Sequence, residues 1–148
     1  MNADPDPPAP AVVIDTNTVL DWLLFDEPSV APLAAAVASG TARWIACDLM
    51  KRECEHVLAR AELAHWQPDP QRVADAWHRH ASMLPAPTTA PTWPRCTDPD
   101  DQIFIDLAIA AGARWLVTRD RALLRLRRRA AAYGVQVLRP NEWALPPA

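Results

Sequence analysis

The chain has 148 residues, half of them hydrophobic, and a formal net charge of −3. That length and composition suit one packed domain, and they exclude both global disorder and a uniformly polycationic binding chain. No apolar run is long enough to span a bilayer.

The N-terminal stretch MNADPDPPAP is acidic and proline-rich. It lacks the basic start and apolar stretch of a signal peptide, so residues 1–10 are expected to be a disordered tail on a cytoplasmic protein with no membrane association. Residues 11–148 then form a single domain. Cys47, Cys54 and Cys96 are odd in number and not at metal-ligand spacing. Cys47 and Cys54 read as small core residues. His56, His65, His78 and His80 form no ligand pattern, which argues against zinc.

In chain order, AVVID (11–15) is a short apolar run closed by an acid, as a buried parallel strand looks where it leaves a sheet. Residues 18–25 continue as apolar helical turns. Pro28 to Ser39 is an alanine-rich helix stopped by Gly40. ARWIA (42–46) is a second strand, after which Asp48 caps a helix to about Leu63. Asp69-Pro70 starts a helix to about Met83, and four prolines make 84–96 a loop. Asp98-Pro99 opens a helix ending before Gly112. RWLVT (114–118) is a strand, a basic helix runs from Arg121 to Tyr133, and VQVL (135–138) is the last strand. Trp143 and Leu145 pack the C-terminal tail.

Strands alternate with helices, so the fold class is α/β with a mainly parallel sheet. In such sheets, ligands bind beyond the strand carboxyl ends, where the strand order switches. Asp15 and Asp120 both stand at such ends. On the 48–63 helix, Leu49, Met50, Cys54, Val57 and Ala61 make an apolar face. Glu53 falls inside it and Glu55 on the far side with Lys51 and Glu62. Periodicity divides Glu53 evenly between a functional acid and a rim residue paired with Arg60. In TDPDDQ, Asp98 is a natural cap. Asp101 shares a face with Ile105 and Ala108, while Asp100 borders the apolar arc near Leu107, so periodicity leaves both open. Gathered carboxylates repel and stay ionised only with a cation present. An oxygen-only ligand set suits Mg²⁺ or Mn²⁺.

With these residues on the page, the chain resembles the PIN-domain family over roughly residues 11–142. VVIDTNTVL is similar to the family's first strand and its terminal aspartate. DLMKRECEHVLAR resembles the helix that carries a glutamate ahead of Val-Leu, which puts that acid at Glu53. DPDDQIFIDLAIAAGARWLVTRDRALL is similar to the family's aspartate, alanine-rich helix, apolar strand and Thr-x-Asp, which assigns Asp101 and Asp120. The resemblance implies a three-layer α/β/α sandwich around a parallel sheet. It implies one or two divalent ions on Asp15, Glu53, Asp101 and Asp120, and hydrolysis of RNA phosphodiesters. It also implies, for small single-domain members, a toxin inhibited by a cognate antitoxin. A homodimer is compatible with this reading. The family often reads Thr-Gly-Asp-x-Asp where this chain has Thr118-Arg119-Asp120-Arg121-Ala122, so a fifth acid is absent and the number of ions stays open.

Around these acids, Asn17 and Thr118 are expected to support them by hydrogen bonds. Arg119, Arg121 and Arg125 are expected to grip the RNA backbone, with Arg127 to Arg129 on a solvated face. Two rival readings remain. VVIDTNTVL also resembles the first motif of haloacid-dehalogenase-like phosphatases, with Asp15 as nucleophile. That family carries a second aspartate where Asn17 stands and a lysine late in the chain, whereas the one lysine here is Lys51. The other is a non-catalytic PIN fold serving as an RNA-binding or interaction module.

Overall fold

A computed structural model describes residues 8–146. Most of the expected N-terminal tail therefore lies outside the described residues. Pro10 already joins the domain, because its carbonyl accepts the Arg43 N–H at 2.8 Å. The chain then forms β1 (Ala11–Ile14), α1 (Thr16–Leu23), α2 (Ala31–Ser39), β2 (Arg43–Ala46), α3 (Asp48–Leu58), α4 (Pro70–His80) and β3 (Ser82–Met83). It continues through α5 (Gln102–Ala110), β4 (Trp115–Val117), α6 (Arg121–Leu124), α7 (Arg127–Ala131) and β5 (Gln136–Leu138). Single 3₁₀ turns precede α2 and α5 and follow β5, and a longer one spans Ala61–Trp66.

The five strands lie in the order β3-β2-β1-β4-β5, all parallel. From β1 the chain steps outward to β2 and β3, then jumps back across β1 to β4. Parallel crossovers are right-handed, so reversing the direction of travel moves the connecting helices to the other face. That produces the three-layer α/β/α sandwich expected from the sequence. On one face α1 packs against α3 and α4; α5 packs on β1 and β4, and α7 on β5. Every residue of β1 is buried, as a central strand covered on both faces requires. Gly40 closes α2 in the left-handed region (φ +79°), with its N–H turned back to the helix carbonyls.

Several elements depart from the sequence reading. The helix over 70–83 stops at His80, and Ser82–Met83 instead pairs with β2 as an edge strand. Two residues are too few to show an alternating pattern, although Pro85 does bias the preceding residue toward an extended backbone. The helix from Asp48 ends at Leu58, where Arg60 turns extended. Its cap position is Cys47; Asp48 lies in the first turn, 2.7 Å from Arg52. Leu49, placed on the apolar face, is 53% exposed, and Met50 and Cys54 carry the buried contact. The basic helix breaks into α6 and α7 at Arg125–Leu126, so that Leu126 turns inward and Arg127 Nε reaches the Val137 carbonyl at 2.9 Å. Trp143 is buried edge-on against Trp115 at 5.3 Å, but Leu145 is exposed.

The α1/α4 face of the sheet is centred on Trp44 of β2. Its ring lies 4.4 Å from that of Trp77 and 5.4 Å from that of Trp22. Trp77 is the buried anchor of α4, which otherwise shows a largely polar surface. Replacing it with alanine removes that anchor and leaves a cavity, at a cost of about 3–5 kcal/mol. Urea denaturation of Trp77→Ala measures this, and a loss below about 1 kcal/mol would contradict the packing described.

Candidate active site at the β1–β4 seam

Where β1 and β4 lie side by side, their carboxyl ends open into the crevice created by the reversal of strand order. Asp15 follows β1 directly and caps α1. Its Oδ1 accepts the Thr18 N–H at 2.8 Å, and its Oδ2 accepts the Thr118 hydroxyl. The Asp15 N–H continues the β1–β4 ladder to the Val117 carbonyl at 3.2 Å. Asp15 is only 4% exposed. Burial raises its pKa above the ordinary carboxylate value; the Thr118 and Thr18 hydrogen bonds oppose that rise and the Asp120 charge adds to it.

Thr118, fully buried, is the hinge between the two strand ends. Its Oγ1 donates to Asp15 and accepts the Asp120 N–H at 2.9 Å. Asp120 in turn caps α6 by accepting the Ala122 N–H at 2.7 Å. The remaining Asp120 oxygen is left for other partners. Asp101 stands near enough to Asp120 for that neighbouring carboxyl to raise its pKa. Burial first, then Asp120, then the charges of Asp98 and Asp15, push the Asp101 pKa up to about 7.

Glu53 reaches the same crevice from α3. It is half-buried and accepts the Thr16 hydroxyl at 3.1 Å. Burial raises its pKa; the Thr16 bond lowers it, Asp100 and Asp15 raise it, and Arg60 lowers it from a distance. Among the described residues Glu53 makes no ion pair with Arg60. Glu55 is exposed and borders the groove between α3 and α4 instead. In TDPDDQ the three acids stand in different surroundings. Asp98 caps the turn by accepting the Asp100 N–H at 3.0 Å, Asp101 faces Asp120, and exposed Asp100 lies toward Glu53.

Of the two polar residues expected to support the acids, Thr118 does so and Asn17 does not. Asn17 is exposed, and among the described residues its amide makes no hydrogen bond to any of the acids. Its neighbour Thr16 makes that contact. Arg119 is committed to Asp21 of α1 by a two-point pair, at 2.9 Å and 3.1 Å. Asp21 is buried, and its position inside an apolar helical stretch was the available signal that it needed a cationic partner. The Asp21–Arg119 pair ties α1 to the β4–α6 loop, the two elements that bear Asp15 and Asp120.

Among the described residues, no three His, Cys, Asp or Glu side chains already stand in a chelating arrangement. The donor chemistry nevertheless fits a hard divalent ion. All four candidate residues are carboxylates, none is neutralised among the described residues by an arginine or lysine at ion-pair distance, and burial together with the neighbouring acids keeps a proton on Asp101 near neutrality.

That crowding has a consequence for stability. Between the ordinary aspartate value of 3.8 and about 7, the folded protein binds more protons at Asp101 than the unfolded chain does. Asp15 and Glu53, also raised, act in the same direction. Metal-free stability therefore falls as pH rises through about 7. Thermal melts in EDTA are expected to give a lower Tm at pH 8 than at pH 5, and Asp101→Asn is expected to flatten the difference. A wild-type Tm that rises over that interval would exclude the arrangement.

Comparison with known proteins agrees with this geometry. A family model of the PIN domain matches residues 11–122. No curated protein matches the sequence. Among solved structures, the fold is similar to VapBC2 from Rickettsia felis, bound to a DNA fragment from their promoter, with a TM-score of 0.58 at 11% identity. That match covers 87% of this chain and 98% of the other. The fold is also similar to the PIN domain endonuclease Utp24, with a TM-score of 0.55 at 17% identity, covering 90% of this chain and 86% of the other. With the Asp15–Thr118–Asp120 seam, the parallel sheet order and the family match in agreement, the chain belongs to the PIN-domain family.

Proposed function

We propose that the protein is a divalent-metal-dependent endoribonuclease, and the toxin of a toxin–antitoxin pair. The observation that carries the nuclease reading is the Asp15–Thr118–Asp120 junction at the strand-order switch, with Asp101 near enough to feel the charges of both acids. PIN domains are in general nucleases, and the similarity to the endonuclease Utp24 supports the same reading at the level of fold. The toxin reading draws its support from the likeness in fold to VapBC2.

Asp15, Glu53, Asp101 and Asp120 would hold Mg²⁺ or Mn²⁺. When bound, the ion supplies Lewis acidity toward the scissile phosphate and acidifies the attacking water. The protein's share is orientation. Thr118 and the Thr18 N–H fix the rotamer of Asp15. Thr16 restrains Glu53 in the same way. Asp101 retains a proton up to about pH 7 that a cation would displace, so ion binding releases protons near neutral pH. The phosphatase alternative is disfavoured by the family match, because its resemblance is confined to β1 and the residues just after it.

Asp15→Asn, Asp101→Asn, Asp120→Asn and Glu53→Gln are each expected to reduce Mn²⁺-dependent cleavage of single-stranded RNA by at least about a hundredfold, since each removes ligand charge while keeping shape. Glu55→Gln is expected to stay within about twofold. Wild-type protein that binds RNA but never cleaves it with Mg²⁺ or Mn²⁺ would instead identify a non-catalytic module. Mn²⁺ is also expected to raise the Tm of the wild type but not of Asp15→Asn. Equal shifts in both proteins would move the ion to another site.

A further inference from the structure

One strongly charged depression lies outside the acid crevice. Arg121 and Arg125 of α6, Arg127 at the start of α7 and Arg139 just after β5 line a surface cavity of about 330 Å³, with Leu124 as the apolar residue in its wall. Four arginines line this space. The acid that offsets them is Glu142, which holds Arg127 at 3.0 Å and accepts the Arg139 backbone N–H at 3.0 Å with the same oxygen. Arg127 is locked further by its bond to the Val137 carbonyl at 2.9 Å. Among the described residues, Arg121, Arg125 and Arg139 make no ion pair. Like charges held together around a depression repel one another, and an anion seated between them relieves that repulsion.

We propose that this depression is a binding site for the phosphodiester backbone of the RNA, one to two nucleotides away from the cleaved bond. This rests on the ribonuclease reading above and adds to it a second point of substrate contact. Its position follows from α6, which is capped by Asp120 in the acid crevice and carries Arg121 and Arg125 one turn apart on its exposed side. Five residues of helix advance about 7.5 Å, and phosphates on one strand at duplex spacing advance about 3.4 Å each. A strand crossing the acids therefore reaches the arginines within about two phosphates. The class of contact follows from the lining, in which guanidinium forks match phosphate oxygens and no aromatic face is offered to a base. The site holds the backbone and adds no base preference. It also regroups the arginines relative to the sequence expectation, since Arg119 is bound to Asp21 while Arg127 and Arg139 join Arg121 and Arg125.

The test is binding without cleavage. The full chain in EDTA is titrated onto a fluorescein-labelled oligouridylate at several KCl concentrations, and anisotropy reports Kd and its salt slope. Arg125→Ala with Arg139→Ala is expected to weaken binding at least about tenfold and to lower the salt slope by about 1.4, the counterions of two phosphate contacts on a single strand. Arg125→Lys with Arg139→Lys keeps the charge and is expected to retain most of the slope. Arg128→Ala, on the exposed side of α7 and outside the depression, is expected to change neither. An unchanged Kd and slope in the double alanine variant overturns the proposal, as does an Arg128→Ala effect equal to that of the pair. Inorganic pyrophosphate displacing the oligomer at its own Kd would also overturn it, because the site would then be a small-anion pocket. The outcome separates from that of the nuclease reading. Arginine-dependent binding with no Mn²⁺-dependent cleavage leaves this site standing and removes the nuclease. Cleavage with arginine-independent binding does the reverse.

Discussion

The Thr118 hydroxyl joins two residues 103 and two positions away in the chain, donating to the Asp15 carboxylate while accepting the Asp120 N–H. Everything else at the crevice depends on that junction. It exists because β4 returns to lie against β1 rather than extending the sheet beyond β3. A buried hydroxyl without partners is costly, and so is a buried carboxylate. Each satisfies the other here, and the price is that the ends of β1 and β4 cannot slide relative to one another. The Asp21–Arg119 pair repeats the linkage from outside, binding the helix after Asp15 to the loop before Asp120.

The partners of the acids are neutral where the acids meet one another and cationic only at the margin. Asp15 has a hydroxyl and a backbone N–H, Glu53 has the Thr16 hydroxyl, and Asp120 has the first turn of α6. Hydrogen bonds of this kind orient a carboxylate without cancelling its charge. The Arg119 guanidinium is occupied by Asp21, and Arg60 is not in ion-pair contact with Glu53. The crevice thus keeps a charge deficit that its own side chains do not fill, and Asp101 answers it by retaining a proton up to about pH 7. The arginines collect instead around the far end of α6, so that one short helix connects a region wanting cations to a region wanting anions.

Local pattern carried much of the fold. Apolar runs at 11–14 and 44–46 mark central strands because both faces of a parallel sheet are covered. Asp69-Pro70 and Gly40 mark helix ends because their backbone preferences do not depend on neighbours. The edge strand β3 escaped for the opposite reason. Its two residues acquire strand character only from the Ile45–Ser82 and Ala46–Met83 pairings with β2. The break between α6 and α7 escaped similarly, since helix propensity favours continuity there. It is the burial of Leu126 and the reach of Arg127 to β5 that favour a bend.

At the site the division is sharper. The sequence by itself determined which acids end strands, because Asp15 follows an apolar run directly and Asp120 follows one after two residues. With the family resemblance it also named Glu53 and Asp101, which periodicity alone left level with an arginine-paired rim role and with Asp100. Only the tertiary structure decided what each carboxylate faces: Thr16 for Glu53, Asp120 for Asp101, Thr118 for Asp15, and Asp21 for the arginine expected to hold RNA. The physical reason is that helical and strand periods specify a direction from an axis, within one element. Charge repulsion and hydrogen bonding depend on distances between elements, and those are set when β4 docks on β1 and brings residues a hundred positions apart into contact.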